Sequence, residues 1–582
     1  MTINFKNTIY TTLMLAFMLL SSYTFAQSEK TYFKYWVSLV DKKGTPFSID
    51  KPEEFLTTKA IERRKKFNIN LTEDDLPVSP IYIEKVGKQS NITVLYSSKW
   101  LNAVVVRTEN EYDIDAVEDL EFVTEVKLLG KWKIKKDGDK KEDKKKKDDF
   151  KGYEGDDDIE NVRPDLGDIM TRGYGSAYYQ TRMLNLIKMH DLGYKGYGLT
   201  IAVVDAGFKN YYRHRALDSI RANGQFIDYY NIPYGDKKDN DNGKHGLQVL
   251  SCMAANIPNT MVGTAPGANY LLISSEDEKS EFPIEEANWV RAAEYADSMG
   301  ADLITSSLGY KSFDLDELSH EYKDINGKIS YASQAATRAV EKGIMVLAAA
   351  GNDGDNKKSN YVASPGDADK IITVGGVDYD REHTSFSSYG PTFDKRIKPD
   401  LCAKASYVYV ANSNNKFTRS NGTSFATPIM AGAVACLMQA NPEKSVAEVM
   451  DALKKSADHS FNPNSTYGWG IPDIFVANSF LNESAYFDYN TEKLINPGIN
   501  EFNTRIYYRF YSPTSQQVNI TVTKINIGKK KKTKEVFNSD FQVSAKDFLQ
   551  GEIPKVEKFK SGEYIFKLTS ASGKVYERTI EK

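Results

Sequence analysis

Cysteine is scarce in this chain: Cys252, Cys402 and Cys436 are the three among 582 residues. Three are too few for a disulfide framework, and two of them stand in small-residue helical runs where buried free thiols are the plain reading. A Cys252–Cys436 bridge is the alternative that sequence alone leaves open. Histidine is nearly as sparse, with six residues. The net charge is only −3, so no global field points to nucleic acid or to a membrane surface. Long apolar runs are missing as well. Past the N-terminus none approaches the ~20 residues of a membrane span, and no transmembrane segment is expected in the mature protein. No G-x-G-x-x-G precedes a helix, which removes the phosphate loop that a nucleotide-binding sheet would need.

What is present reads as globular protein, 41% hydrophobic and 27% charged, in a chain long enough for several domains. Lys6, an apolar stretch from Ile9 to Leu20 and "TFA" at Thr24 to Ala26 form the pattern of a secretory signal peptide, expected over residues 1–26. The protein is therefore expected to be exported, to the medium or the cell surface. From Tyr32 to Leu129, strand-like runs ("YWVSLV", "NITVLY", "NAVVVRT", "FVTEVKLL") and a helical run from Lys51 to Phe67 suggest a small α+β unit. Residues 133–166 open with Lys and Asp/Glu almost free of apolar side chains, a solvated linker open to proteolysis.

Residues 167–481 change character. Apolar runs at 199–205, 269–274, 301–309, 343–352 and 371–376 alternate with helical stretches. Two of those stretches, Ile284 to Met299 and Tyr331 to Lys342, are closed by Gly300 and Gly343. Ser445 to Glu448 reads as a capping box. The pattern predicts an α/β fold, a mainly parallel sheet with helices on both faces. From residue 482 to 582 alternating strands predict a small β-sandwich.

Four residues in that α/β region draw attention. Ser424 begins a helix of small residues in "NGTSFATPIMAGAVA". It reads as a helix cap, or as a nucleophile at the positive end of a helix. Asp205 ends the run "TIAVVD", and Asn352 ends "VLAAAGN". Each could be a turn former, yet chemistry in open α/β sheets gathers at the carboxyl ends of strands. His245 lies in "NGKHGLQV" just before a helix. Together they fit acyl transfer. A serine hydroxyl needs an imidazole to take its proton, and the imidazole needs a carboxylate to orient it. The tetrahedral oxyanion needs donors, which an Asn amide and the Ser424 N–H can supply.

The motifs "VVDAGF", "HGLQV…VGTAPGA", "SSLG", "AAAGNDG", "NGTSFATPIMAGAVA", "FSSYGP…KPDL" and "YGWGIPD" stand in the order of the subtilisin-like (subtilase) serine peptidases, which the chain resembles over about residues 170–480. The resemblance implies a secreted serine endopeptidase made as a zymogen. It makes Asp205 the orienting carboxylate, His245 the general base, Ser424 the nucleophile and Asn352 an oxyanion donor. Ser307, Leu308 and Gly309 correspond to the segment that pairs with substrate backbone, and Ala349, Ala350 and Gly351 to a wall of the S1 pocket. An inactive subtilase-fold scaffold is the alternative reading.

The sequence departs from the family pattern at Leu247 and Gln248, where Thr-His is usual, and altered packing is expected there. The acidic segment "SSEDEKSEFPIEEANW" corresponds to the region flanking the S2 and S4 subsites. Glu276, Asp277, Glu278 and Glu281 would favour basic residues upstream of the cut, or else form a solvated loop. No cofactor is required. Asp236, Asp239 and Asp241 could hold a structural calcium, although their spacing is not that of an EF-hand and a polar loop is the simpler reading. Residues 27–132 occupy the place of an inhibitory propeptide. The chain also resembles secreted subtilases of Bacteroidetes-like bacteria, whose C-terminal domains direct export. Residues 482–582 would then engage a type IX-like secretion machinery.

Overall fold

The apolar runs in the middle of the chain do form a parallel sheet. The computed structural model describes residues 30–134, 172–235 and 243–482, and in the C-terminal region 486–495, 502–512, 514–526, 532–544, 547–552 and 563–581. The expected signal peptide, all but the first two residues of the charged linker up to 166, and Asp236, Asp239 and Asp241 lie outside the described residues.

The N-terminal unit is an antiparallel sheet of β1 (Lys30–Leu39), β2 (Thr93–Ser98), β3 (Ala103–Thr108) and β4 (Val123–Ile134), in the order β2-β3-β1-β4. The helical run expected over Lys51 to Phe67 is broken. Pro52–Glu54 makes one 3-10 turn, and α1 (Thr58–Lys66) starts only after Thr57. Thr57 is extended and its side chain caps the Ala60 N–H, which restarts the helix. The second helix of the unit, α2, spans Pro80–Gly87.

The central sheet contains β5 (Thr200–Asp205), β6 (Phe226–Asn231), β7 (Asn269–Ser274), β8 (Leu303–Ser306), β9 (Met345–Ala349), β10 (Ile372–Val377) and β11 (Leu401–Lys404), in the order β11-β10-β9-β8-β5-β7-β6. Every pairing in it is parallel. Side chains alternate along each strand, so β5 feeds two cores. Ile201 and Val203 pack with α3 (His245–Ala254) and α6 (Thr423–Ala440), whereas Ala202 and Val204 pack with α4 (Ile284–Ser298) and α5 (Tyr331–Glu341). Helices thus cover both faces. A hairpin, β12 (Val408–Asn412) and β13 (Lys416–Ser420), leads directly into α6. Helix α6 is long and apolar enough to cross a membrane, but it is buried through the core. The expected capping box opens α7 (Val446–Ser456), which α8 (Ile474–Leu481) follows.

The N-terminal sheet rests on α4 and α5. Trp36, Val105 and Leu129 share an apolar cluster with Phe282, Ile284 and Ala287. The Trp36 and Tyr331 rings stack at 4.4 Å. In the C-terminal region β14 (Tyr486–Ile495), β15 (Phe502–Ser512) and β18 (Asp547–Glu552) form one antiparallel sheet. A second contains β16 (Gln516–Asn526), β17 (Lys532–Val543), β19 (Glu563–Ser570) and β20 (Val575–Glu581). Phe510 and Leu549 of the first sheet join Val518, Ile520, Tyr564 and Phe566 of the second in one core.

The three cysteines are free and buried, and no Cys252–Cys436 bridge forms.

Candidate active site

Two loops and two helix starts converge at the carboxyl edge of the central sheet. Asp205 is the last residue of β5 and fully buried. Its Oδ1 accepts from the Ala206 N–H at 2.8 Å and meets His245 Nδ1 at 2.7 Å. His245 opens α3, and Gly246 next to it donates its N–H to the Gly207 carbonyl at 2.8 Å. A Cβ at Gly246 would stand 2.5 Å from that oxygen. Only glycine lets the aspartate and histidine loops approach this closely.

Burial by itself would depress the His245 imidazole. The Asp205 carboxylate beside it, with Glu278 and Glu276 farther off, more than offsets this and holds it above its ordinary value. Its Nε2 is buried and has no hydrogen-bond partner among the described residues. An imidazole anchored by one nitrogen to a carboxylate presents the other as a proton acceptor. The Phe425 ring, 5.9 Å from the imidazole, forms an apolar neighbour.

Ser424 is the second residue of α6, where backbone N–H groups have no partner within the helix. Pro428, one turn on, has no N–H to give the Ser424 carbonyl. That carbonyl accepts instead from the Ser307 hydroxyl at 2.8 Å. The Ser424 hydroxyl faces the Ser307 carbonyl at 3.4 Å. It makes no hydrogen bond to His245, so the third link of an Asp–His–Ser chain is open in this structure.

Asn352 follows β9 and faces the start of α6. Its Oδ1 accepts from the Thr423 N–H at 2.9 Å and from the Thr423 hydroxyl at 3.0 Å. With the acceptor end held twice, the amide cannot flip, and Nδ2 is left as a buried donor without a partner among the described residues. The structure brings Asn352, Thr423, Ser424 and Ser307 into one hydrogen-bonded group beside the Asp205–His245 pair.

The expected substrate segments flank this group. Ser307, Leu308 and Gly309 continue from β8 as it leaves the sheet. Ala349 and Ala350 are buried, and the Gly351 N–H donates to Thr423 Oγ1 at 3.3 Å. Leu247 and Gln248 are both buried in α3. They pack into the helix and add no hydrogen bond to the imidazole.

The acidic segment is not simply a solvated loop. Glu276 is buried and accepts from Tyr310 Oη and Ser275 Oγ, each at 2.8 Å. Carboxylate oxygens of Glu276, Glu281 and Glu285 lie within 4.8 Å of one another, near enough for one cation to bridge them. Burial lowers the pKa of Lys34 from β1, and Asp277 and Glu285 partly offset this.

Sequence reasoning passed over Thr423, which fixes the Asn352 amide, and Pro428, which frees the Ser424 carbonyl. Both stand inside the serine motif, so the signal was there in the proline lying one helical turn beyond the serine.

Known proteins resemble the chain over the region that holds this group. The family described as the subtilase family (peptidase S8) matches residues 196–470, and the peptidase S8 propeptide domain of Bacteroidota matches residues 34–147. Subtilisin DY from Bacillus licheniformis is 28% identical over 301 residues, covering 51% of this chain and 97% of that protein. Subtilisin E from Bacillus subtilis (strain 168) is 28% identical over 304 residues, 52% of this chain and 71% of that protein. Serine protease AprX from the same strain is 33% identical over 294 residues, 45% of this chain and 62% of that protein. A subtilase (peptidase S8) domain thus stands on the parallel sheet with an S8 propeptide domain before it, which supports serine endopeptidase activity.

Proposed function

We propose that the chain is an exported zymogen that hydrolyses peptide bonds through an acyl-enzyme on Ser424. His245 Nε2 takes the Ser424 proton as the hydroxyl attacks the scissile carbonyl, then returns it to the leaving amine. Asp205 holds the imidazole through Nδ1 and stabilises the imidazolium. The tetrahedral oxyanion is held by Asn352 Nδ2 and the Ser424 N–H, donors already oriented before substrate arrives. Ser307, Leu308 and Gly309 pair with the substrate backbone, and Ala349 to Gly351 wall the S1 pocket. The observation that carries this reading is the 2.7 Å contact of His245 with Asp205, with Nε2 left free for a proton.

Residues 1–26 serve as the export signal in this reading, and the linker at 133–166 is the maturation site. Residues 482–582 form an accessory β-unit that engages a type IX-like export machinery. The chemistry uses no cofactor.

Intact mass over time tests the reading on secreted wild type beside Ser424→Ala. Wild type should lose its N-terminal unit and react with a fluorophosphonate, while Ser424→Ala stays whole and unlabelled. Equal processing of both chains, with no labelling of either, would overturn it.

A further inference from the structure

The hairpin that leads into α6 is covered along one edge and bare along the other. Its register sets Tyr409 opposite Arg419 and Ala411 opposite Phe417. The Tyr409 N–H donates to Gln180 Oε1 at 3.1 Å, and the Tyr409 carbonyl accepts from Gln180 Nε2 at 3.3 Å. The Ala411 N–H donates to Ser251 Oγ of α3 at 2.9 Å. These groups of β12 therefore point away from β13. In an antiparallel ladder, opposed residues turn their backbone groups either both inward or both outward. Arg419 and Phe417 thus turn theirs outward from the other edge. There the N–H and C=O of both meet no partner among the described residues.

An open strand edge is a template for another chain, and charge narrows what this one accepts. Lys416 and Arg419 are exposed on β13. Arg215 lies over the Phe417 ring at 5.1 Å and Arg419 over the Tyr409 ring at 5.5 Å. One Arg419 N–H goes to the Tyr407 carbonyl at 3.2 Å, which holds the side chain along the hairpin. The loop from Ala206 to Leu217 packs on the hairpin tip, where Asn210 Nδ2 donates to the Ser413 carbonyl at 2.7 Å. Neither that loop nor the stretch from Ala405 to Ser424 contains Asp or Glu. A second copy of the chain would set positive strand against positive strand, whereas an acidic segment finds its charges opposed. Direction narrows it further. Strand β13 runs into α6, with Ser420 four residues before Ser424, so a chain that leaves Ser424 along this edge lies antiparallel to β13. The linker proposed for maturation has the matching order: Lys144 to Lys147 precede Asp148, Asp149, Glu154 and Asp156 to Asp158.

We propose that the free edge of β13 is a docking strand for the substrate residues that follow the scissile bond, and that it selects acidic ones. The substrate then extends the hairpin to three strands. Its residue opposite Arg419 exchanges two main-chain hydrogen bonds with that residue and carries its side chain on the same face, where a carboxylate meets the guanidinium. Two residues farther on, the position opposite Phe417 faces Arg215. Main-chain pairing supplies the hold, and the two arginines supply the preference. The inference rests on the reading of Ser424 as the nucleophile of a peptidase.

The test gives secreted wild type a mixture of proteome-derived peptides and reads the cut sites by mass spectrometry. Asp and Glu should be enriched about fivefold over Lys and Arg among the residues downstream of the cut. A well-cut acidic peptide is then compared with copies carrying amides or lysines at those downstream positions. Arg419→Glu should lower kcat/KM for the acidic peptide about tenfold and raise it for the lysine copy. It should leave the amide copy unchanged, which shows the fold and the catalytic group to be intact. N-methylation of successive downstream amides reads the pairing itself. It should lower kcat/KM about tenfold at alternate positions only, because every second amide faces the edge. Cleavage without an acid preference, a preference that survives Arg419→Glu, or an N-methyl effect without alternation would overturn the proposal and leave the peptidase reading standing. No cleavage of any peptide would overturn both.

Discussion

The Ser307 hydroxyl donates to the Ser424 carbonyl at 2.8 Å. This bond exists because Pro428 cannot make the helical one, and it ties the segment after β8 to the first turn of α6. Ser307→Ala leaves a buried carbonyl without its partner. We expect a loss of roughly 1–3 kcal/mol in folding stability, read by urea unfolding. Values of kcat/KM should fall with it, because the segment proposed to pair with substrate loses its tie to the nucleophile's helix.

Asn352→Ala removes the amide proposed for the oxyanion. The expected outcome is a fall of about 10²–10³ in kcat with KM nearly unchanged. Thr423→Val keeps the amide but removes one of the two bonds that orient it. It should give a smaller fall in the same parameter. A KM effect without a kcat effect in either variant would count against the assignment.

The pH profile follows from the charges around His245. Catalysis needs the neutral imidazole, so kcat/KM should rise with pH through a midpoint above the ordinary histidine value. Glu278 is one of the carboxylates that stabilise the protonated form. Glu278→Gln should move that midpoint to lower pH while leaving the plateau rate in place. A midpoint that does not move would show that Glu278 has no hold on the imidazole.

A second histidine bears on stability. His320 Nε2 meets Glu286 Oε1 at 2.5 Å, and although burial opposes the charge, Glu286 prevails and raises the pKa to about 8. A raised histidine stabilises the fold fully below its unfolded value of ~6.5 and loses that contribution as pH climbs through about 8. Denaturant unfolding should therefore show a decline of about 2 kcal/mol between these limits. His320→Gln should flatten it.

Much of the candidate site was legible because its parts are local. Asp205 and Asn352 announce themselves as polar residues ending apolar runs, and Ser424 as a serine opening a helix of small residues. The parallel sheet was legible for the same reason, since continuous apolar runs separated by helices admit few other arrangements. The interface between the N-terminal unit and the peptidase domain was not. Arg63 and Asp297, which bond across it, stand 234 positions apart, and in sequence Arg63 belongs to the charged run Glu62 to Lys66, which reads as a solvated helix face, while Asp297 is a lone acid between Ala296 and Ser298. Glu276 misleads in the same way, an acid among acids that the fold buries against Tyr310. Charge alone does not distinguish a wet face from an ion pair sealed between two units, because burial is decided by a partner distant in the chain.

The placement of the cysteines has a consequence for the proposed maturation, because all three lie in the peptidase domain and the N-terminal unit has none. With no disulfide joining the two units, the linker is the last covalent bond between them, and cutting it turns a tethered contact into an association between separate molecules. The propeptide's occupancy then follows its own concentration, and the high effective concentration of the tether is lost. Under the proposed export and linker cut, volume becomes a control variable: the cut complex should persist in a confined space and dissociate in a large, dilute medium.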